Sequence, residues 1–273
     1  MSMNHRYCAG MPQLSYTGLS ENWLLKECGH RHWEALAAHA SRESIDFHDD
    51  NGDRSYAAFT AIRLQTRGLD SIAENDTFDI CTALCRTGAV RHFSTHRIVR
   101  GDAPVAEIAM ASAFVTRGKA RSNRSVARST LAALSGEVVS MPDQALQMVQ
   151  MSKRFRCADH AAMPDLGPSN AEPVEFLPCP NTDFNGADFL YFASFQAFVD
   201  RAEWQRHRFD EPPVLASRSL FYYGNVDVGD TLSVHVVGES EDERGVRHWT
   251  QVRRKGDGMK IADVATEKHW RRR

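Results

Sequence analysis

Apolar and polar positions along the chain fall into two patterns that occur in the same order twice. In the first, Leu25, Cys28, Gly29, His32 and Leu36 recur at helical spacing behind the entry Leu19-Ser20-Glu21-Asn22-Trp23-Leu24. Ser20 can accept a hydrogen bond from a first-turn amide, and the flanking Leu19 and Leu24 staple the angle of entry. Phe184-Asn185-Gly186-Ala187-Asp188-Phe189 repeats the arrangement with Asn185 as the cap, and Asp188 completes a near capping box. The helix it introduces, through Leu190, Tyr191, Phe192, Ala193, Phe195, Phe198 and Val199, is apolar almost all round, which is the pattern of a buried helix. Gly29 costs about 1 kcal/mol inside a helix unless close packing requires it, and packing under a curved sheet would.

Behind each helix come four runs that alternate as strands do. In the first half these are Tyr56 to Leu64, Thr77 to Cys85, Val90 to Val99 and Val105 to Thr116. Phe78, Ile80, Thr82 and Leu84 alternate most clearly, as do Ile108, Met110, Ser112 and Phe114. In the second half they are Val214 to Tyr223, Thr231 to Val237, Val246 to Arg253 and Met259 to Thr266, with hairpin signals at Glu243-Arg244-Gly245 and Gly256-Asp257-Gly258. The two caps lie 165 residues apart, and Asn75-Asp76-Thr77 answers Gly229-Asp230-Thr231 at 154; the polar stretch Ser44 to Arg54 absorbs the difference. This reads as an internal duplication.

The pattern predicts an α+β chain in which two antiparallel sheets each wrap a long central helix, the tandem or double hot-dog fold. Residues 11–117 form the first unit, 118–171 a linker with one helix from Pro142 to Phe155, and 172–270 the second unit. That fold is rich in thioesterases, dehydratases and acyltransferases acting on thioesters, although fold alone does not settle function.

Composition narrows the classes further. Lys and Arg number 33 against 35 Asp and Glu, a net charge of −2, which argues against nucleic-acid binding over a broad basic face. No run reaches the roughly 18 apolar residues of a membrane span, and the first twenty residues contain no apolar stretch suited to a signal peptide. Six cysteines (Cys8, Cys28, Cys81, Cys85, Cys157, Cys179) without a CxxC are expected to be reduced, buried thiols in a cytoplasmic protein. Cys81 and Cys85 share one face of a strand and are expected in the core. His30 and His32 face different ways on a helix, no HExxH or Cys/His cluster occurs, and no metal site is expected.

The opening Met11-Pro12-Gln13-Leu14 followed by Gly18-Leu19-Ser20-Glu21-Asn22-Trp23-Leu24-Leu25-Lys26-Glu27-Cys28-Gly29-His30 resembles the N-terminal signature of the LnmK-type bifunctional acyltransferase/decarboxylases of polyketide biosynthesis. The resemblance continues through Tyr56-Ala57-Ala58-Phe59, Ile62-Arg63, Asn75-Asp76, Met110 to Phe114, Asp183-Phe184-Asn185-Gly186, Tyr223-Gly224-Asn225 and Gly229-Asp230-Thr231, and so spans nearly the whole chain. It implies a double hot-dog enzyme that decarboxylates methylmalonyl-coenzyme A and passes the propionyl group to an acyl carrier protein through an acylated tyrosine. By position Tyr56 resembles that tyrosine. No resident cofactor is implied, coenzyme A entering only as part of the substrate.

The chemistry follows from the groups. A phenol with a pKa near 10 is a poor nucleophile at neutral pH, and no His-Asp pair at a recognisable spacing activates Tyr56. Loss of CO2 from a malonyl thioester leaves an enolate more basic than phenolate, which can take the Tyr56 proton. The phenolate then attacks the propionyl thioester and expels the coenzyme A thiolate, and the aryl ester acylates a phosphopantetheine thiol. Charge on the thioester oxygen needs fixed donors, and helix N-terminal amides near Gly186 and Ala187, with Asn185, are candidates.

Each of these residues has a plainer role available. Tyr56 fits a packed sheet aromatic, Asn185 a helix cap, and Ser219, a candidate substrate contact, an ordinary strand serine. Asn22 and Glu21 fit first-turn polar residues. Glu21 is nonetheless the residue best suited to a thioesterase or dehydratase, because hot-dog thioesterases often use a helix carboxylate. Arg117, Lys119, Arg121, Arg124 and Arg128, with no acid among them, suit either a solvated linker or a contact for coenzyme A phosphates or an acidic carrier protein. The expected partners are an acyl-coenzyme A substrate and an acyl carrier protein, with no nucleic acid or membrane, in a monomer or homodimer. The competing readings are a hot-dog thioesterase or dehydratase using Glu21 or Asn185 with water, and a non-catalytic module that docks carrier proteins.

Overall fold

The two predicted patterns fold into two compact units, Met1–Val149 and Gln150–Arg273, in a computed structural model that describes residues 2–119, 122–129, 131, 137–158 and 162–271. In unit 1 the elements are β1 (Ser2–Cys8), the paired dipeptides β2 (Leu14–Ser15) and β3 (Gly18–Leu19), α1 (Glu21–His39), β4 (Phe47–His48), β5 (Arg54–Thr66), β6 (Thr77–Arg86), β7 (Arg91–Arg100), β8 (Ala103–Arg117) and β9 (Val126–Arg128). The sheet runs β1-β6-β7-β8-β5, antiparallel throughout, with β4 on β5 and β9 on β8. β1 lies before the boundary read from the sequence. It pairs with β6 from Ser2↔Ala83 to Cys8↔Thr77, and its alternation of half-buried Met3, His5 and Tyr7 is too polar to announce a strand.

Ser20 caps α1 as expected, its hydroxyl accepting the Trp23 amide at 3.3 Å. The helix buries Leu24, Leu25, Cys28, Gly29, His32, Ala35 and Leu36 against β6 and β8. Phe78, Ile80, Thr82 and Leu84 of β6 meet it, each buried as the alternation predicts. Of the six cysteines expected to be buried, Cys28 is; Cys81 and Cys85 share the opposite face of β6 and are half-buried there rather than in the core, and Cys8, Cys157 and Cys179 are exposed. Gly18 takes φ +102°, and a Cβ on it would stand 2.3 Å from the Leu69 carbonyl, so only glycine lets β3 pass that backbone.

Unit 2 is entered from within α2 (Asp143–Arg156), close to its predicted limits. It continues through β10 (Gly167–Pro168), β11 (Val174–Phe176), α3 (Pro180–Asp183), α4 (Phe192–His207), β12 (Val214–Tyr222), β13 (Leu232–Glu241), β14 (Gly245–Arg254) and β15 (Lys260–His269). Its sheet runs β12-β15-β14-β13, antiparallel, with β10 and β11 on β13. α4 buries Phe192, Phe195, Phe198, Val199 and Ala202 along this sheet, and each large side chain so buried contributes about 2 kcal/mol. On the sheet's other face Phe155 of α2 stacks on Phe221 at 5.2 Å and meets the edge of Trp249 at 5.3 Å.

α4 does not start at Asn185. Asp188 takes φ +62°, a left-handed conformation that no helix passes through, and the helix begins four residues later behind Tyr191. The true counterpart of the Leu14↔Leu19 ladder and the Ser20 cap is the Phe184↔Leu190 bridge followed by Tyr191. Asn185 therefore occupies the turn, where unit 1 has Ser15, and not the cap.

Candidate functional site

Tyr56 lies on β5 opposite Val115, and its neighbours fix its direction. Phe59 stacks on Trp33 and meets His32 of α1, and Ala57 pairs with the buried Phe114, so odd positions before the bulge at Phe59 face the helix. Tyr56 faces the other way, half-buried, on the side that carries Arg54. The guanidinium of Arg54 is ion-paired to Asp46 at 3.2 Å, and its pKa is raised first by that carboxylate and further by the Tyr56 phenol. A cation beside the phenol can hold the charge of a phenolate, a role for which the sequence offered no partner. Ser55 points inward to Ser129, hydroxyl to hydroxyl at 2.6 Å.

The α3–α4 loop is built differently from the expected helix N-terminus. The side-chain oxygen of Asn185 accepts the amides of Ala187 at 3.0 Å and Phe189 at 3.1 Å, an Asx-type turn. The proposed donor amide of Ala187 is thus spent inside the loop, and Gly186 is exposed four residues before the bridge closes at Leu190. Asp183 anchors the loop: its carboxylate accepts the Cys179 amide at 2.8 Å, and its carbonyl accepts both the Tyr191 amide at 2.7 Å and the Ser194 hydroxyl at 3.1 Å. With Oδ1 so engaged, the Asn185 group left for a substrate is its amide nitrogen, a donor. Ser219 is buried on β12 opposite Ala265, on the face away from α4 that carries Phe221. Asn22 and Glu21 occupy the first turn of α1, both half-buried.

Of the basic run, Arg117 ends β8 half-buried and donates to Asn123 at 2.9 Å, while Lys119, Arg124 and Arg128 are exposed. Arg121 lies outside the described residues.

Two polar assemblies under the helices went unread in the sequence. In unit 1 a hydrogen-bonded row crosses three strands: Thr82 to His96 at 2.9 Å, His96 to Ser94 at 2.9 Å, Ser94 to His32 at 2.7 Å and His32 to Ser112 at 2.8 Å, all five buried. Beside it His92, the cross-strand partner of Ser112, is 1% exposed. Burial lowers all three imidazoles, His96 to about 3 and His92 to about 4, with His39 and Arg86 adding repulsion at His92; His32 falls well below its ordinary value. At neutral pH they are uncharged.

Unit 2 places charges at the same interface. On α4, Asp200 meets Arg218 at 2.7 Å and Lys268 at 2.9 Å, and Glu203 contacts Lys268 and, at 2.8 Å, His248. Burial alone would raise both carboxylates, but Arg218 and Lys268 hold Asp200, and the His248 hydrogen bond and Lys268 hold Glu203, below the usual range. Lys268 is raised for the matching reason, its burial outweighed by Asp200 and Glu203.

Among the described residues no helix is long and apolar enough to cross a membrane. No protein-family model matches the chain, and no curated protein matches it in sequence. Solved structures do. A 12:0-ACP thioesterase from Umbellularia californica is 12% identical, with 99% of this chain and 94% of that one covered and a TM-score of 0.63. A protein described as an oleoyl thioesterase from Lactobacillus plantarum is 12% identical over 99% and 95%, with a TM-score of 0.69. A MaoC-like dehydratase from Phytophthora capsici is 12% identical over 99% and 95%, with a TM-score of 0.52. At these identities the likeness establishes the fold alone, and it does so over nearly the full length: the chain has the double hot-dog fold, with a long central helix laid on antiparallel strands in each unit.

Proposed function

We propose that this chain processes acyl thioesters carried on coenzyme A or on an acyl carrier protein, with hydrolysis as the leading reaction. The observation that carries the reading is likeness over 99% of the chain to a 12:0-ACP thioesterase and to a protein described as an oleoyl thioesterase. In this reading Glu21 at the first position of α1 is a candidate base toward water, or Asn185 offers its amide nitrogen to the thioester oxygen, where charge develops in the transition state.

A second reading, decarboxylative acyl transfer through Tyr56, is favoured by one feature, the Arg54 guanidinium beside the phenol. It answers the difficulty that a lone phenol has in carrying charge, and it fits the resemblance of the first helix and β5 to the acyltransferase/decarboxylases.

One experiment separates the two. The protein is incubated with propionyl- and methylmalonyl-coenzyme A while thiol release and intact mass are followed. Hydrolysis predicts thiol release without an adduct, reduced at least 100-fold by Glu21→Gln or by Asn185→Ala. Acyl transfer predicts a propionyl adduct that is absent in Tyr56→Phe. Neither release nor adduct with any acyl group or carrier would refute thioester processing altogether.

A further inference from the structure

The polar row in unit 1 is closed at every member but leaves its neighbour without a partner. Thr82, His96, Ser94, His32 and Ser112 satisfy one another along a single chain of hydrogen bonds. His92 belongs to the same helix-facing side of β7, two residues from Ser94 and four from His96, and sits directly across from Ser112. Ser112 is already engaged with His32, and neither ring nitrogen of His92 has a hydrogen-bond partner. The ring is 1% exposed, walled by the edge of Phe114 at 5.7 Å and by His39 of the last turn of α1 at 6.3 Å. A buried imidazole with both nitrogens unpaired is costly to keep, since it has lost its water and gained nothing in return. Replacing it with a hydrocarbon would relieve that cost.

The geometry points to a ligand contact at His92, in the α1–sheet interface of unit 1, for an uncharged group that both donates and accepts a hydrogen bond. The inference rests on the thioester reading and deepens it. A neutral imidazole offers one donor and one acceptor, which an amide or a hydroxyl matches and which a carboxylate or an ammonium does not. His39 and Arg86 oppose a cation there, and the carbonyl end of α1 disfavours an anion. An acyl thioester carries two groups of the required kind: the secondary amides of its pantetheine arm, and the hydroxyl of a hydroxyacyl chain.

The test is calorimetric titration of the full chain with coenzyme A, hexanoyl-coenzyme A and 3-hydroxyhexanoyl-coenzyme A. Wild type is compared with His92→Phe, which keeps the ring and removes both nitrogens, and with His92→Gln, which keeps a donor and an acceptor. His92→Phe is expected to weaken the cognate ligand about tenfold, the scale of one hydrogen bond, and His92→Gln to restore most of it. Weakening with all three ligands assigns the contact to the pantetheine arm, and weakening confined to the hydroxyacyl compound assigns it to the acyl hydroxyl. The nitrogen resonances of His92 in the wild type must also move at saturation. Equal affinities for wild type and His92→Phe, or an unmoved His92 signal in a chain that binds the ligands, overturn the inference and leave the proposed function standing. A wild type that binds none of the three overturns both.

Discussion

The three lowered imidazoles of unit 1 make acid sensitivity a quantitative consequence of the fold. Unfolded, His32, His92 and His96 titrate near 6.5; folded, His92 stays neutral to about pH 4 and His96 to about pH 3, and burial lowers His32 in the same direction. The unfolded chain therefore binds more protons as the pH falls, and stability falls with it. Their contribution is complete above about pH 7 and is lost progressively below 6.5. Between pH 7.5 and 5 His92 and His96 each forgo about 2 kcal/mol, 1.5 pH units at about 1.4 kcal/mol each, so the two together remove about 4 kcal/mol, and His32 adds to the loss with the same sign. That is a large part of the stability of an ordinary domain. His248 in unit 2 acts with the same sign, since its burial outweighs the pull of Glu203.

The groups facing these rings offer no rescue. His32 and His39 come from α1, Arg86 from β6, and Thr82, Ser94 and Ser112 are neutral. The carboxylates of unit 2 act in a different window. With folded pKa values depressed, Asp200 and Glu203 contribute fully above about pH 4.5 and lose their share only below it. Urea unfolding at pH 7.5, 6.0 and 5.0 should show a steadily falling midpoint, and hydrogen exchange should open the amides of β7 before those of β12. His92→Phe should remove about 2 kcal/mol of the difference between pH 7.5 and 5. A midpoint unchanged over that range, or a His92→Phe chain with the full wild-type pH dependence, would refute the assignment of three neutral buried imidazoles.

Two further substitutions test the unit 2 interior. Lys268→Met leaves Asp200 and Glu203 short of a buried cation and should cost about 3–5 kcal/mol in urea unfolding; adding Glu203→Gln should recover part of that loss, and strict additivity of the two changes would count against the network. Gly245→Ala would set a Cβ 1.8 Å from the Lys268 carbonyl, and should cost more than about 4 kcal/mol, seen as lost cooperative melting by circular dichroism.

What the sequence made legible was whatever depends on local order. Turn dipeptides and alternation located all eight long strands of the two main patterns to within a few residues, and Ser20 announced α1 because its cap bond is made within one turn. Asn185 misled for a related reason. The same side chain that caps a helix also ties an Asx turn, and only the left-handed Asp188, itself a tertiary outcome, separates the two. The polar assemblies failed to show because their meaning is set by strand partners. His92, Ser94 and His96 alternate on β7, but polar alternation reads as a solvent face until the register with β8 and the position of α1 turn it inward. On α4 a signal was available: Gln196, Asp200 and Glu203 recur at helical spacing behind the aromatic run, a polar stripe on a helix that otherwise looks greasy.

The duplicated units meet one packing problem with unlike chemistry, and that difference bears on function. Each must lay a long helix on a curved sheet while holding polar groups in the interface. Unit 2 closes its set with opposite charges, so that every carboxylate there faces a cation. Such a network is rigid and intolerant of intrusion, because separating a buried pair strands a charge. Unit 1 uses neutral groups that can exchange partners at small cost, and its set stops one residue short, at an imidazole with both nitrogens unspent. A ligand entering unit 2 would have to break ion pairs, whereas one entering unit 1 at His92 would pair an imidazole that the closed row beside it leaves without a partner. The units are therefore unequal in what their interiors can accept, and in unit 1 a donor-and-acceptor ligand has bonds to gain and none to break.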